Sequence, residues 1–299
     1  MNDRLDPAQL RTVDVDGIPT RLYEAGEGEP LVLIHGGYFG SLYSLDCWSL
    51  NLDALATSFR VVAFDRLGQG HTGNPGAPGE YTFDRVLGHA LALLDGLELG
   101  RFHLVGHSIG ALVAAEVALA RPQAIRTLVV VDTNTLAPDD ARFPRGAFYR
   151  ELESRIPPGP PTRESVRMEP DEQSFSKDHV TDDFVARLLE IALTPSFVEA
   201  TAARERDRSD PVWVPTLEAA RAHALSAIDA GGFAFPALVV WGANDVSAPL
   251  PLGQALFDRV AAATGEAELH VLARAGHYCF REHPEAFERL LAGFCAGRP

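Results

Sequence analysis

Short runs of valine, leucine and isoleucine alternate with helix-patterned segments, and this alternation limits the chain to very few folds. The runs are "PLVLIHGG" (Pro30–Gly37), "FRVVAFD" (Phe59–Asp65), "FHLVGHS" (Phe102–Ser108) and "IRTLVVVDT" (Ile125–Thr133). Between them, "FDRVLGHALALLDGL" and "GALVAAEVALA" carry apolar residues at helical spacing. A continuously apolar strand is buried on both faces, which requires a parallel sheet covered by helices on both sides. The fold class is therefore α/β. From about Leu136 to Gly232 the alternation stops. "RIPPGPPTRES" (Arg155–Ser165) is too rich in proline for a strand or a helix interior. "TDDFVARLLEIAL" (Thr181–Leu193) reads as an amphipathic helix capped by Thr181, with two acids in its first turn. "TLEAARAHALSAI" (Thr216–Ile228) reads as another. The sheet pattern returns in "FPALVVWGAND" (Phe235–Asp245) and "AELHVLARAGH" (Ala267–His277). The expected organisation is a core of residues 1–135 and 233–299, interrupted by a helical cap over 136–232.

The junction of the third run with the helix after it carries the first chemical signal. Gly106-His107-Ser108-Ile109-Gly110 is a G-x-S-x-G sequence between a strand and a helix. Such a turn is sharp and strained, and it lifts the serine hydroxyl above the sheet edge at the helix N-terminus. A serine needs a base to become nucleophilic, and the base needs an acid to orient it. Asp245 follows one strand and His277 follows the last, so both fall at the same sheet edge as Ser108, in the order serine, acid, histidine. Asp132 is the alternative acid; His107, His270 and His283 are weaker candidates for the base. The oxyanion needs backbone donors. One is expected at Ile109, and the other at Gly37 or Tyr38 in the loop "HGGYFG".

Other signals mark what the chain is not built for. The formal net charge of −15 disfavours phosphate backbones and anionic lipid, so neither nucleic acid nor a membrane is an expected partner. "GQGHTG" (Gly68–Gly73) spells G-x-G-x-x-G, but "NPGAPGE" follows where a dinucleotide site needs a helix. No cofactor is expected. The histidines show no metal-ligand spacing, so no metal is expected either. Three cysteines, Cys47, Cys279 and Cys295, are too few and too scattered for a disulfide framework. With a polar N-terminus and no long apolar run, the expectation is a cytoplasmic protein acting on a small molecule.

Together "HGG", "DRLGQGHTG", "GHSIG", "GANDVSAP" and "AGHYCFREHP" resemble the motifs of the α/β-hydrolase superfamily. That resemblance implies a mostly parallel sheet with a helical cap inserted after the sixth strand. Within the superfamily the chain looks most like the meta-cleavage product hydrolases, through "YEAGEGEPLVLIHGG", the Trp48–Asn51 stretch, "VTDDFVARLLEIA" and "ARAGHY". It departs from them at His107, where asparagine is usual, at Tyr278, where tryptophan is usual, and at Tyr38, where a third glycine is usual. The resemblance implies hydrolysis of a C–C bond in a 2-hydroxy-6-oxo-dienoate from aromatic ring cleavage. It implies that a cap arginine, matched by Arg187, holds the substrate carboxylate. His107, Trp213 and Tyr278 are the other expected substrate-binding residues, and a homodimer is the expected assembly. The same triad also serves a carboxylesterase or lactonase. A cofactor-free dioxygenase or a non-catalytic receptor on this fold are further alternatives.

Overall fold

In the computed structural model, which describes residues 3–209 and 211–298, the valine-rich runs pair into one sheet. Its strands are β1 (Leu10–Val15), β2 (Ile18–Ala25), β3 (Pro30–Ile34), β4 (Arg60–Phe64), β5 (Phe102–His107), β6 (Ile125–Val131), β7 (Ala237–Gly242) and β8 (Ala267–Leu272). They lie in the order β1-β2-β4-β3-β5-β6-β7-β8. β3 to β8 run parallel, while β1 and β2 are antiparallel at one edge. The edge hairpin has no counterpart in the sequence reading. It turns at Asp16-Gly17, both with positive φ, as a two-residue hairpin turn requires.

The helices are α1 (Leu52–Leu55), α2 (Phe83–Gly96), α3 (Ile109–Ala120), α4 (Ala147–Arg155), α5 (Arg163–Gln173), α6 (Asp182–Ala192), α7 (Pro195–Asp207), α8 (Trp213–Asp229), α9 (Leu250–Thr264), α10 (Cys279–Glu282) and α11 (Pro284–Cys295). Successive strand residues point to opposite faces, and both faces are filled. Val32, Ile34, Leu104, Val130 and Trp241 join the layer with α2, α3, α8 and α9. Leu31, Leu33, Val105, Val131 and Val240 join the layer with Trp48, Phe280, Phe287 and Leu291. This is the α/β-hydrolase fold, with a mostly parallel sheet covered on both sides.

Among the described residues, the segment between β6 and β7 contains helices and no strand. α6 begins where its sequence says, with Thr181 Oγ1 accepting from Phe184 N–H. α8 begins at Trp213, three residues before Thr216 where the pattern starts. Asp207 Oδ1 accepts from the N–H groups of Val212 and Trp213 and caps it from outside. α8 packs against α2, α3 and α9, so by contact it belongs to the core layer. Helices α4, α5 and α7 bring Glu153, Glu169 and Arg204 over the strand ends, into one cavity with Ser108. "GQGHTG" is turn, not helix: the Gly70 backbone lies so close to the Asp65 carboxylate that a side chain there would overlap it.

Candidate active site

The turn from β5 to α3 is tight for a reason that can be read atom by atom. A side chain at Gly110 would overlap the carbonyl oxygens of Ile34 and His35, and one at Gly106 would overlap Gly110 and Ala111. Ser108 between them has φ 55° and ψ −126°, a strained conformation for a residue with a Cβ. The strain is held by the sheet: Ser108 N–H donates to Val131 O at 3.0 Å. The side chain of Ser108 lies against Gly36 and lines a cavity of about 440 Å³.

Behind the serine, two loops place an acid and a histidine. His277 Nδ1 donates to Asp245 Oδ2 at 2.6 Å. Asp245 Oδ1 accepts from Ser247 N–H, Ala248 N–H and Ser247 Oγ. The acid is thus saturated with donors and cannot swing. With Nδ1 committed, His277 Nε2 carries the lone pair; it is buried and has no hydrogen-bond partner among the described residues. His277 N–H donates to Gln173 O at 2.8 Å, so cap helix α5 fixes the histidine loop.

Asp132, the alternative acid, takes another part. It is buried, accepts from Gly242 N–H at 2.7 Å, and its Oδ2 has no partner among the described residues. Burial, with the Asp245 charge beside it, pushes its carboxyl well above the usual range. Asp245 is the acid bonded to the histidine. The Cys279 thiol is buried against Asp132 and pushed up, so it is no thiolate.

The loop after β3 faces Ser108 and is pinned from below. Arg66, fully buried, donates from Nη2 to the carbonyls of Gly36 (2.7 Å) and Gly37. Burial lowers its pKa. Both carbonyls are thereby drawn to the guanidinium side of the loop. His35 is structural: Nδ1 donates to Gly36 O, Nε2 accepts from Arg66 N–H, and burial holds it neutral. Tyr38 N–H is committed to Ser41 Oγ at 3.1 Å. Of the two expected donors in this loop, that leaves Gly37, whose φ of 82° suits glycine alone. Ile109 is the first residue of α3, where backbone N–H groups have no partner within the helix.

The expected substrate-binding residues divide three ways. Trp213, like Gly37, Tyr38, Ser108 and Ile109, lines the cavity. His107 and Tyr278 are buried behind it. His107 Nε2 donates to His277 O at 2.9 Å, tying the serine turn to the histidine loop. Its charge is suppressed first by burial and then by His277. Tyr278 stacks on Tyr43, with ring centroids 5.7 Å apart.

Arg187 is a correction: it does not line the cavity. It pairs with Asp3 at 3.0 Å and Asp46 at 3.1 Å on the outer side of α6. Those two acids are almost completely buried, and a buried carboxylate requires a cation. Phe184, Val185 and Leu188 take the inward face of the helix instead.

The cavity has its own cations, which the sequence did not single out. Arg204, on α7, lies over the Tyr38 ring and donates to Tyr38 Oη at 3.0 Å. Tyr38 Oη donates to Glu153 at 2.8 Å, and Arg204 pairs with Glu153 at 3.3 Å. Arg204 Nε is buried without a hydrogen-bond partner among the described residues. Glu169 of α5 completes the polar wall. Burial raises its carboxyl to about 7. Gln173, one turn further along α5, bonds Tyr43, Tyr149 and Ser247. No pattern marks Glu169 or Gln173 in the sequence, because a helix this polar has no apolar stripe from which to read its inner face.

Comparison with known proteins gives the family of the chain. Residues 31–290 match the model of the alpha/beta hydrolase family. The 2-hydroxymuconate semialdehyde hydrolase of Pseudomonas sp. (strain CF600) is 32% identical over 96% of this chain and 93% of its own length. The 2-hydroxy-6-oxo-6-(2'-aminophenyl)hexa-2,4-dienoic acid hydrolase of Metapseudomonas resinovorans is 26% identical, over 96% and 91%. Among solved structures, the meta-cleavage product hydrolase of Pseudomonas fluorescens IP01, as a mutant complexed with acetates, superposes with a TM-score of 0.74. It has 26% identity and covers 95% of this chain and 96% of that one. Among the described residues, no helix is long and apolar enough to cross a membrane.

Proposed function

Because the chain belongs to the alpha/beta hydrolase family and is similar to meta-cleavage product hydrolases, we propose that it hydrolyses the C–C bond of a 2-hydroxy-6-oxo-dienoate through Ser108, His277 and Asp245. The observation that carries this reading is the His277–Asp245 pair at 2.6 Å, with a buried, unpartnered Nε2 at the sheet edge that also presents Ser108. The relatives' named substrates supply the bond type.

The residues divide the work as follows. The dienol first ketonises in the cavity, the proton of its 2-hydroxyl going to C5. The C5–C6 bond then joins an acyl carbon to an enolate leaving group. His277 Nε2 takes the Ser108 proton as Oγ attacks the C6 carbonyl. Backbone N–H groups of Ile109 and Gly37 receive the oxyanion. Collapse breaks C5–C6, the electron pair passes into the dienolate, and the imidazolium returns a proton to it. Water, deprotonated by His277, then cleaves the acyl-serine and releases the acid. Asp245 holds the imidazole tautomer throughout. The substrate carboxylate goes to Arg204, whose guanidinium lines the cavity about a quarter exposed and can present a bidentate fork.

The test is loss of the yellow colour of a meta-cleavage product, measured beside hydrolysis of a short p-nitrophenyl ester, for wild type and Ser108→Ala. Fast bleaching is expected, with kcat falling by about a million-fold in the variant. Ester cleavage with the dienol untouched would replace this reading with a carboxylesterase. Bleaching that survives in Ser108→Ala would remove the serine from the mechanism.

A further inference from the structure

The acids that line the cavity are not equivalent. Glu153 is bonded by Tyr38 and paired with Arg204 and Arg208. Asp207 caps α8, and Glu218 pairs with Arg145. Glu169 alone among them has no hydrogen-bond donor or ion-pair partner among the described residues. It is half-buried, with its carboxyl open to the cavity. It projects from the same face of α5 as Gln173, four residues on, whose carbonyl receives His277 N–H. The titratable and charged groups near it come from three other elements: His277 from the loop after β8, Arg204 from α7 and Glu153 from α4. The hydroxyls of Tyr43, Tyr149 and Tyr278 are also within its electrostatic reach.

A cavity carboxyl with no protein donor is free to accept from a ligand, and a ligand that covers it without supplying a donor strips its water and leaves it unpaired. We propose that Glu169 is a specificity-determining residue, which accepts a hydrogen bond from a hydroxyl or amine on the substrate and so favours hydroxylated or aminated substrates over apolar analogues of the same shape. The proposal rests on the cavity being the hydrolytic site. The discrimination is asymmetric: an analogue that lacks the donor leaves Glu169 desolvated and unpaired. A charge-assisted bond of this kind corresponds to a preference of about 10- to 100-fold in kcat/KM.

The preference has a pH signature, because burial raises the carboxyl to about 7. Below that pH Glu169 is neutral and is a weak acceptor. Above it Glu169 is anionic, and the preference for a donor, above all an ammonium, grows until ionisation is complete.

The experiment compares matched pairs. One pair is dienols with a 2-aminophenyl or a phenyl tail. The other is p-nitrophenyl 6-aminohexanoate and hexanoate, which does not depend on C–C cleavage. Wild type and Glu169→Gln, which keeps the shape, are measured from pH 5.5 to 8.5, a window of roughly 1.5 units either side of the carboxyl. The result expected is a donor preference that rises through about pH 7 in the wild type and is small and flat in Glu169→Gln, at an unchanged melting temperature. Glu169→Asp, which keeps the charge, retains the rise. Equal preferences in wild type and Glu169→Gln, or an unchanged pH profile, would overturn the assignment. If the ester pair behaves as expected while no dienol is turned over, the C–C reading fails and Glu169 keeps its role. If neither pair is turned over, both fail.

Discussion

Two clusters of arginine and carboxylate lie close to the cap helices, and they are built on opposite plans. Below α6, Asp3, Asp46, Arg187 and Arg281 form a buried network joining the N-terminal segment, the cap and helix α10, which follows His277. Arg281, with no exposed surface, uses every nitrogen: on His179, on the carbonyls of Asp46 and Cys47, on Ser49 and on Asp3. Its guanidinium also stacks on Phe184, 3.9 Å from the ring centroid. In the cavity, Arg204 and Glu153 stay about a quarter exposed, Arg204 keeps an unused Nε and Glu169 has no donor. The lesson concerns saturation. Arg281, with every nitrogen bonded, fixes geometry; Glu169, with no donor, is chemically addressed to something outside the protein.

Breaking the saturated cluster should give the larger effect on stability. Arg281→Ala leaves Asp3 buried and short of countercharge, and is expected to cost about 3–5 kcal/mol, a fall of roughly 10 °C in the melting midpoint. Calorimetry checks this, and an unmoved midpoint would mean that water replaces the guanidinium. Next comes the cavity. Arg204→Ala is expected to raise KM for the dienol carboxylate about 10- to 100-fold while the midpoint stays nearly constant. Arg187→Ala should do the reverse, leaving KM alone and lowering the midpoint. An exchange of those two outcomes would return the carboxylate to Arg187.

The smallest effect is acid sensitivity. Burial alone would raise Asp46, but the guanidinium groups of Arg21 and Arg187 overcome that and hold it below its ordinary value. A depressed carboxyl contributes stability above its unfolded pKa of about 3.9, and that contribution is lost as pH falls through the folded value. Denaturation profiles of wild type and Asp46→Asn should therefore converge below about pH 4 and diverge above it. Parallel profiles would mean that Asp46 is not ionised in the folded protein.

Much of this was legible in the sequence, for reasons that can be named. β3 to β7 are buried on both faces, so each is a nearly continuous apolar run, while β8, at the far edge, exposes Glu268 and His270. β1 and β2 lie at the edge, mix exposed arginine, threonine and glutamate with apolar positions, and leave no such run. The turn around Ser108 was readable because steric demand removes side chains at Gly106 and Gly110. Asp245 and His277 were readable because their strands end in recognisable runs. Arg187 was placed by resemblance to a cap arginine, but α6 contributes no residue to the cavity, and Asp3, 184 residues away in sequence, holds its side chain. Helices α4, α5 and α7 are so polar that nothing in them distinguishes the wall of a cavity from a solvated surface, and the cavity residues Arg204 and Glu169 went unread with them.

Gln173 has a consequence for traffic through the enzyme. Its amide binds Tyr43 of the core, Tyr149 of α4 and Ser247 of the acid loop, and its carbonyl holds His277. Lifting α5 would break four bonds together, each contributing about 0.5–1.5 kcal/mol, and would release His277 with them. α5 therefore acts as a doorpost rather than a door.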